Sequence, residues 1–276
     1  MNELQWVDFL KKHVNPGRNV VVGIGDDCAQ VKVGKEKLLL KSDLFIEDVH
    51  FKRRDISLFS IANRAVGRVL SDFAACGGVP LFLGVSIGIG SLSSSNLKQL
   101  LKGVVTCSKK YKFAFIGGDT AKSKKVFLDV WGVGRSDKCV LRSTAKVGDH
   151  IFITGLLGKR PFNASFVPRI KEAQFLVKNF KVNAMIDISD GFIIDLYRIL
   201  QASKKGALLE GNLPVTNGKS DLYRGEDYEL IFTIDKSSKN IDVLRKRFHF
   251  VGRIKPNSFG YKNRRGDVKI NGYTHL

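Results

Sequence analysis

The longest uncharged run of the chain, Phe73 to Leu97, constrains the fold more than any other stretch. Its apolar part, Val79 to Ile89, is 11 residues long, and Gly77, Gly78 and Pro80 break the run. A helix that crosses a bilayer needs about 20 apolar residues, so the run reads as a buried strand and no membrane partner is expected. Directly before it, Leu58, Ala62, Ala65, Val66, Val69, Leu70 and Phe73 recur at helical spacing, with Gly77-Gly78 as the stop.

Alternating patterns of this kind run along all 276 residues. Helices are predicted over 2–13, 57–76, 95–111, 168–179, 191–202 and 239–248. Strands are predicted over 28–33, 37–42, 81–89, 113–116, 126–133, 150–154, 184–188, 206–210, 229–234 and 250–254. Around Ser136-Asp137-Lys138 the pattern pauses. The simplest partition is two α+β domains, 1–136 and 137–276. Hydrophobic residues make up 43% of the chain, which excludes disorder as its general state.

Lys and Arg number 46 against 26 Asp and Glu, a formal net charge of +20. Such an excess raises the question of a nucleic-acid partner. The bases come as scattered doublets and triplets, among them Lys52-Arg53-Arg54, Lys204-Lys205 and Arg245-Lys246-Arg247, with no aromatic motif or zinc-ligand spacing beside them. They read as a solvated surface rather than a nucleic-acid site. Cys28, Cys76, Cys107 and Cys139 form no C-x-x-C pair, and Met1 to Trp6 is not an apolar leader, so a reducing, cytoplasmic location is expected.

In so basic a chain the placement of the acids is informative. Thirteen of the 26 fall in short signatures at the ends of predicted elements: Asp26, Asp27, Asp43, Glu47, Asp48, Asp72, Asp119, Asp187, Asp190, Asp195, Glu226, Asp227 and Glu229. Clusters of oxygen donors suit hard cations such as Mg²⁺, which take carboxylates and keep waters and substrate phosphates in their shell. Plainer readings exist for several: Asp190 before Gly191 as a helix N-cap, Asp26-Asp27 and Asp119 as turn residues. Asp72 resists one, because it lies one turn from a predicted helix C-terminus, where the macrodipole disfavours an anion by about 0.3–1 kcal/mol. A carboxylate there calls for a cation. The chain has no G-x-x-x-x-G-K-[ST] loop, no G-x-G-x-x-G after a strand, no H-E-x-x-H and no G-x-S-x-G, so nucleotide chemistry would lean on metal ions.

Ten signatures in order resemble those of the thiamine-monophosphate kinase family, within the aminoimidazole-ribonucleotide-synthetase-like superfamily. They are GIGDD (23–27), SD-x4-DVHF (42–51), LSD-x-AA-x-GG-x-P (70–80), IGGDT (116–120), LRS-x-A-x-x-GD (141–149), TG-x-LG (154–158), IDISDG (186–191), GEDYEL-x-FT (225–233), VGRI (251–254) and GYTHL (272–276). The resemblance implies a two-domain α+β fold of that superfamily, with N-terminal domains paired into a homodimer. It also implies direct transfer of the γ-phosphoryl group of ATP to the phosphate of thiamine monophosphate, assisted by several Mg²⁺ ions.

Carried over residue by residue, Asp27, Ser42, Asp43, Asp72, Asp119, Asp187 and Asp190 would hold magnesium. Gly118, Asp119, Arg142 and Ser189 would contact ATP, while His50, Glu226 and Tyr273 would contact the thiamine phosphate. No covalent nucleophile is expected, since the transfer asks for positioning and charge neutralisation. Two alternatives stay open: a superfamily enzyme using ATP on a different acceptor, and a non-catalytic derivative that binds nucleic acid. All seven metal positions keep an oxygen side chain, which argues against a decayed site. Lys41 stands where the family usually has a hydroxyl residue, and the chain is shorter than its relatives between Gly158 and Pro168 and between Pro214 and Gly225. The shortenings bear on acceptor fit more than on ATP chemistry.

Overall fold

The computed structural model describes residues 3–15, 17–159 and 166–272. In the N-terminal half, α1 (Glu3–His13) precedes β1 (Val20–Val22), β2 (Ala29–Val33), β3 (Glu36–Ile46), α2 (Leu58–Ala75), β4 (Val79–Ile89), α3 (Ser94–Tyr111), β5 (Ala114–Gly117), β6 (Thr120–Ala121) and β7 (Val126–Arg135). Their strands form one sheet in the order β1-β2-β3-β7-β4-β5, with β6 beside β4. The buried run predicted from sequence is β4, antiparallel to β7 and parallel to β5 and β6.

The C-terminal half runs β8 (His150–Ile153), α4 (Ile170–Asn179), β9 (Val182–Asp187), α5 (Phe192–Ser203), β10 (Lys205–Leu209), β11 (Leu230–Ile234), α6 (Ile241–Arg247), β12 (His249–Pro256), β13 (Tyr261–Asn263) and β14 (Gly266–Asp267). The second sheet has the order β14-β13-β10-β12-β8-β11-β9. Among the described residues no helix is long and apolar enough to cross a membrane.

The predicted apolar helix, α2, joins the two halves. The Ser57 hydroxyl caps it by accepting the Ser60 N–H at 3.2 Å, and Gly77, at φ +65°, lets the chain turn away at its end. Ile61, Ala65, Val69 and Leu70 pack into the core of the first sheet, whereas Ala74 and Ala75 pack with Phe152, Met185 and Phe232 of the second. Each large side chain so buried contributes about 1.5–3 kcal/mol. The same helix therefore carries polar residues into the seam between the sheets, including Arg64, Ser71 and Asp72, all buried.

The structure changes three expectations. Strand β3 does not stop at Ser42 but runs to Ile46, because β7 pairs with it from Leu38 to Ile46; Lys41, Ser42 and Asp43 are thus mid-strand. The short strands β1, β6, β13 and β14 were not predicted, being two or three residues each and too short to show a period. Asp190 is not the N-cap of α5: Gly191 is, at φ +126°, without a side-chain cap bond. Asp195 instead accepts the backbone N–H groups of Asp190 and Gly191 at 3.0 and 3.1 Å from within the first turn.

Candidate functional site

A cleft of about 630 Å³ lies along the seam. Alternation along β3 turns Lys41, Asp43 and Phe45 toward α2 and the cleft, and Leu40, Ser42 and Leu44 to the opposite face. Asp27 comes from the loop after β1, Asp72 from the last turn of α2 and Asp187 from the end of β9. The three are buried, and one carboxylate oxygen of each lies within 4.8 Å of the others. Around Mg²⁺, with bonds near 2.1 Å, trans oxygens sit roughly 4 Å apart, so the triad fits a hard divalent cation in spacing and donor type.

Basic and hydroxyl groups surround these acids. Arg142 grips Asp27 with Nε, at 3.2 Å, and Nη2. Lys41 Nζ is 3.0 Å from Asp72 Oδ2, and Ser71 Oγ donates to Asp187 Oδ2 at 2.7 Å. Arg68 holds Asp43 through Nε and Nη2, at 2.9 and 3.3 Å, and Arg198 pairs with both Asp190 and Asp195.

Burial, and then the charge of Asp27, pushes the Asp187 carboxyl up to about 7; Asp26 is raised to about 7 by the same two causes. Burial raises Asp72 well above the carboxylate range despite Lys41. For Asp43 burial is outweighed by Arg68 and Lys41, and its carboxyl stays below the ordinary value. Burial also opposes the charge on Lys41, but Asp72 and Asp43 hold its ammonium above the usual lysine range. Burial works against the charge of Asp72 and Asp187, a cost that a divalent cation between them would relieve.

At the other end of the cleft, Glu226 sits at φ +69° between two guanidiniums of α2. Arg64 donates to Oε2, and Oε1 accepts from Arg68 Nη1 and from the Tyr228 hydroxyl, each at 2.8 Å. Its backbone N–H donates to the Ser189 carbonyl at 2.8 Å. The two loops meet this closely because residue 225 is glycine: a Cβ there would lie 2.3 Å from the same carbonyl oxygen. His50 lines the cleft, and its Nδ1 accepts the Ile46 N–H at 3.0 Å.

The structure thus brings Asp27, Asp72 and Asp187 together and lines the same cleft with Asp43, His50, Arg142, Ser189, Asp190 and Glu226. Three predicted residues do not join them. The Ser42 hydroxyl points to the outer face and donates to Asp129, and Gly118 and Asp119 are exposed beyond β5. Asp43 pairs across β7 with the level of Val85 on β4, and Asp119 lies past it, three strand spacings or about 14 Å away. Tyr273 lies outside the described residues. Sequence reasoning missed Arg64, Arg68 and Arg198. The signal was present, as Arg64 and Arg68 stand i,i+4 inside an apolar helical stripe, and Arg198 follows Asp195 at i+3.

The family described as AIR synthase related protein, N-terminal domain, matches residues 25–136. A thiamine-monophosphate kinase of Buchnera aphidicola subsp. Schizaphis graminum is 35% identical, the alignment covering 89% of this chain and 87% of that protein. One from Bacillus subtilis is 32% identical over the same shares of each chain. Among solved structures, one described as AaThiL complexed with AMPPCP and TMP superposes with a TM-score of 0.87 at 28% identity, covering 100% of this chain and 97% of that one. The thiamine monophosphate kinase of Aquifex aeolicus gives 0.78 at 26% identity, covering 96% and 98%.

Proposed function

The chain belongs to the thiamine-monophosphate kinase family, and from that premise we propose that its cleft carries the γ-phosphoryl group of ATP to the phosphate of thiamine monophosphate, releasing thiamine diphosphate and ADP. An oxygen of the acceptor phosphate forms the new bond to the γ-phosphorus as the bond to the leaving ADP oxygen breaks. The relative's complex with AMPPCP, an ATP analogue, and TMP supports the pair of substrates. The observation that carries the reading is the convergence of Asp27, Asp72 and Asp187 on one point at the wall of a cleft that Asp72, Asp187 and Arg142 line.

In this reading Asp27, Asp72 and Asp187, with Asp43 and Asp190 beside them, hold magnesium. Bound there, Mg²⁺ supplies neutralisation of the polyphosphate and of the acceptor phosphate, which is already ionised at neutral pH and needs no general base. Arg142, fixed by Asp27, offers a guanidinium to the transferred phosphate. Ser189 contacts ATP. His50 and Glu226 orient the thiamine end, Glu226 being held in place by Arg64 and Arg68; Tyr273 is assigned to the same end on sequence alone.

The outlying residues support a homodimer. Leu40, Leu44 and Phe82 lie exposed on the outer face of the first sheet, the face that carries Ser42, and Gly118 and Asp119 stand near its β5 edge. A second copy paired there would cover these apolar side chains, with Ser42 inside the contact and Gly118 and Asp119 at its edge. The domain boundary is placed near residue 137, and the enzyme in the cytoplasm.

The test is incubation of purified protein with ATP, Mg²⁺ and thiamine monophosphate, with products separated by chromatography. Thiamine diphosphate is expected. Its absence, with ATP consumed on another phosphate acceptor, would overturn the choice of substrate.

A further inference from the structure

We infer that Lys41 is a built-in cation of the carboxylate cluster, neutralising Asp72 and barring a divalent ion from its own position, so that the cleft binds fewer metal ions than its acids suggest. The inference rests on the metal-assisted reading of the cleft and sharpens it. Lys41 Nζ lies 3.0 Å from Asp72 Oδ2, with the lysine side chain 25% exposed and that of Asp72 10%. This pair is not a surface ornament. Lys41 is mid-strand, with Gly132 of β7 as its register partner, so the sheet fixes the face from which its side chain leaves the backbone, the face of Asp72.

The charges around it are nearly balanced. Asp27, Asp43, Asp72 and Asp187 carry up to four negative charges, and Arg142, Arg68 and Lys41 return three. Arg142 is engaged by Asp27 and Arg68 by Asp43 and Glu226, which leaves Lys41 as the cation beside Asp72. A side chain with three donors and no acceptor cannot ligate a metal. A serine or threonine at 41 would remove the ammonium, free Asp72 Oδ2 for coordination and leave room for an ion between its shorter hydroxyl and that carboxylate. The ammonium does the reverse: it occupies that oxygen, repels a second divalent ion and keeps the acids from separating before any metal arrives.

The test counts ions rather than turnover. Manganese(II) is titrated into wild type, Lys41→Ser and Lys41→Arg in the presence of AMPPCP, and bound Mn²⁺ is read by electron paramagnetic resonance. Lys41→Ser is purified in Mg²⁺ and exchanged into Mn²⁺, so that a fold dependent on metal does not prevent the count. We expect Lys41→Ser to bind one more ion per chain than wild type, and Lys41→Arg to match wild type. In a second readout, metal-free Lys41→Ser melts below wild type and recovers with Mn²⁺. An equal count in Lys41→Ser and wild type, or a lower one in Lys41→Ser, overturns the inference. Failure of wild type to form thiamine diphosphate would strike the kinase reading instead and leave the ion count standing.

Discussion

The two faces of the N-terminal sheet differ in chemistry although a single strand, β3, supplies both. Toward α2 it presents Lys41, Asp43 and Phe45, and the first two meet Asp72 and Arg68 in the seam. On the other side it presents Leu40, Ser42 and Leu44, a mostly apolar surface continued by Phe82 of β4. Residues adjacent in one signature, Ser42 and Asp43, therefore aim their side chains at different places, as the two-residue period of a strand demands. The inner face gathers the charged groups of the cleft, and the outer face is the apolar surface on which the proposed pairing of two chains rests.

Breaking the inner face should have the largest effect. Asp72→Asn preserves shape but removes a charge from the triad, and turnover should fall by at least about 1,000-fold while the circular-dichroism spectrum is retained. An active mutant would refute the metal assignment. Breaking the outer face should cost less. Leu44→Lys with Phe82→Glu places charges on the exposed apolar surface, so sedimentation velocity should report a monomer in place of a dimer, with turnover reduced by about 10-fold. A double mutant that stays dimeric would move the interface elsewhere.

The smallest expected effect is on stability against pH. Burial, foremost, raises the carboxyls of Asp26, Asp187 and Asp195 to about 7, above their unfolded value near 4. Between those limits the folded state binds more protons than the unfolded one, so from these groups stability falls as pH rises from about 4 to about 7 and levels off above. Metal-free protein should thus melt a few degrees lower at pH 8 than at pH 5, and saturating Mg²⁺ should flatten the slope. A slope that Mg²⁺ leaves unchanged would detach Asp187 from the metal.

Much of this was legible in the chain. The helix 57–76 and the strand after it follow from apolar spacing and the glycine stop, and appear as α2 and β4. The acid signatures stood out because half of a scarce residue type gathered beside glycine and serine, and Asp72 stood out against the helix dipole. Which face each residue serves was not legible. Strand β3 was predicted to end at Ser42, which hid the alternation that parts Ser42 from Asp43; its extension depends on pairing with β7, more than 80 residues away. The role of Arg68 was hidden for a related reason, since a basic residue on a helix reads as solvated until a distant loop such as that of Glu226 is brought against it, whereas Arg198 has its partners Asp190 and Asp195 close by in the sequence.

The central claim is that one cleft joins ATP to thiamine monophosphate without a covalent intermediate on the protein. Its most direct test follows the γ-phosphoryl group itself, with wild-type protein, Mg²⁺, thiamine monophosphate and ATP labelled with radioactive phosphorus at the γ position. The account predicts the label in the terminal phosphate of thiamine diphosphate, with none retained on denatured protein. Label released as inorganic phosphate while thiamine monophosphate stays unchanged would contradict it.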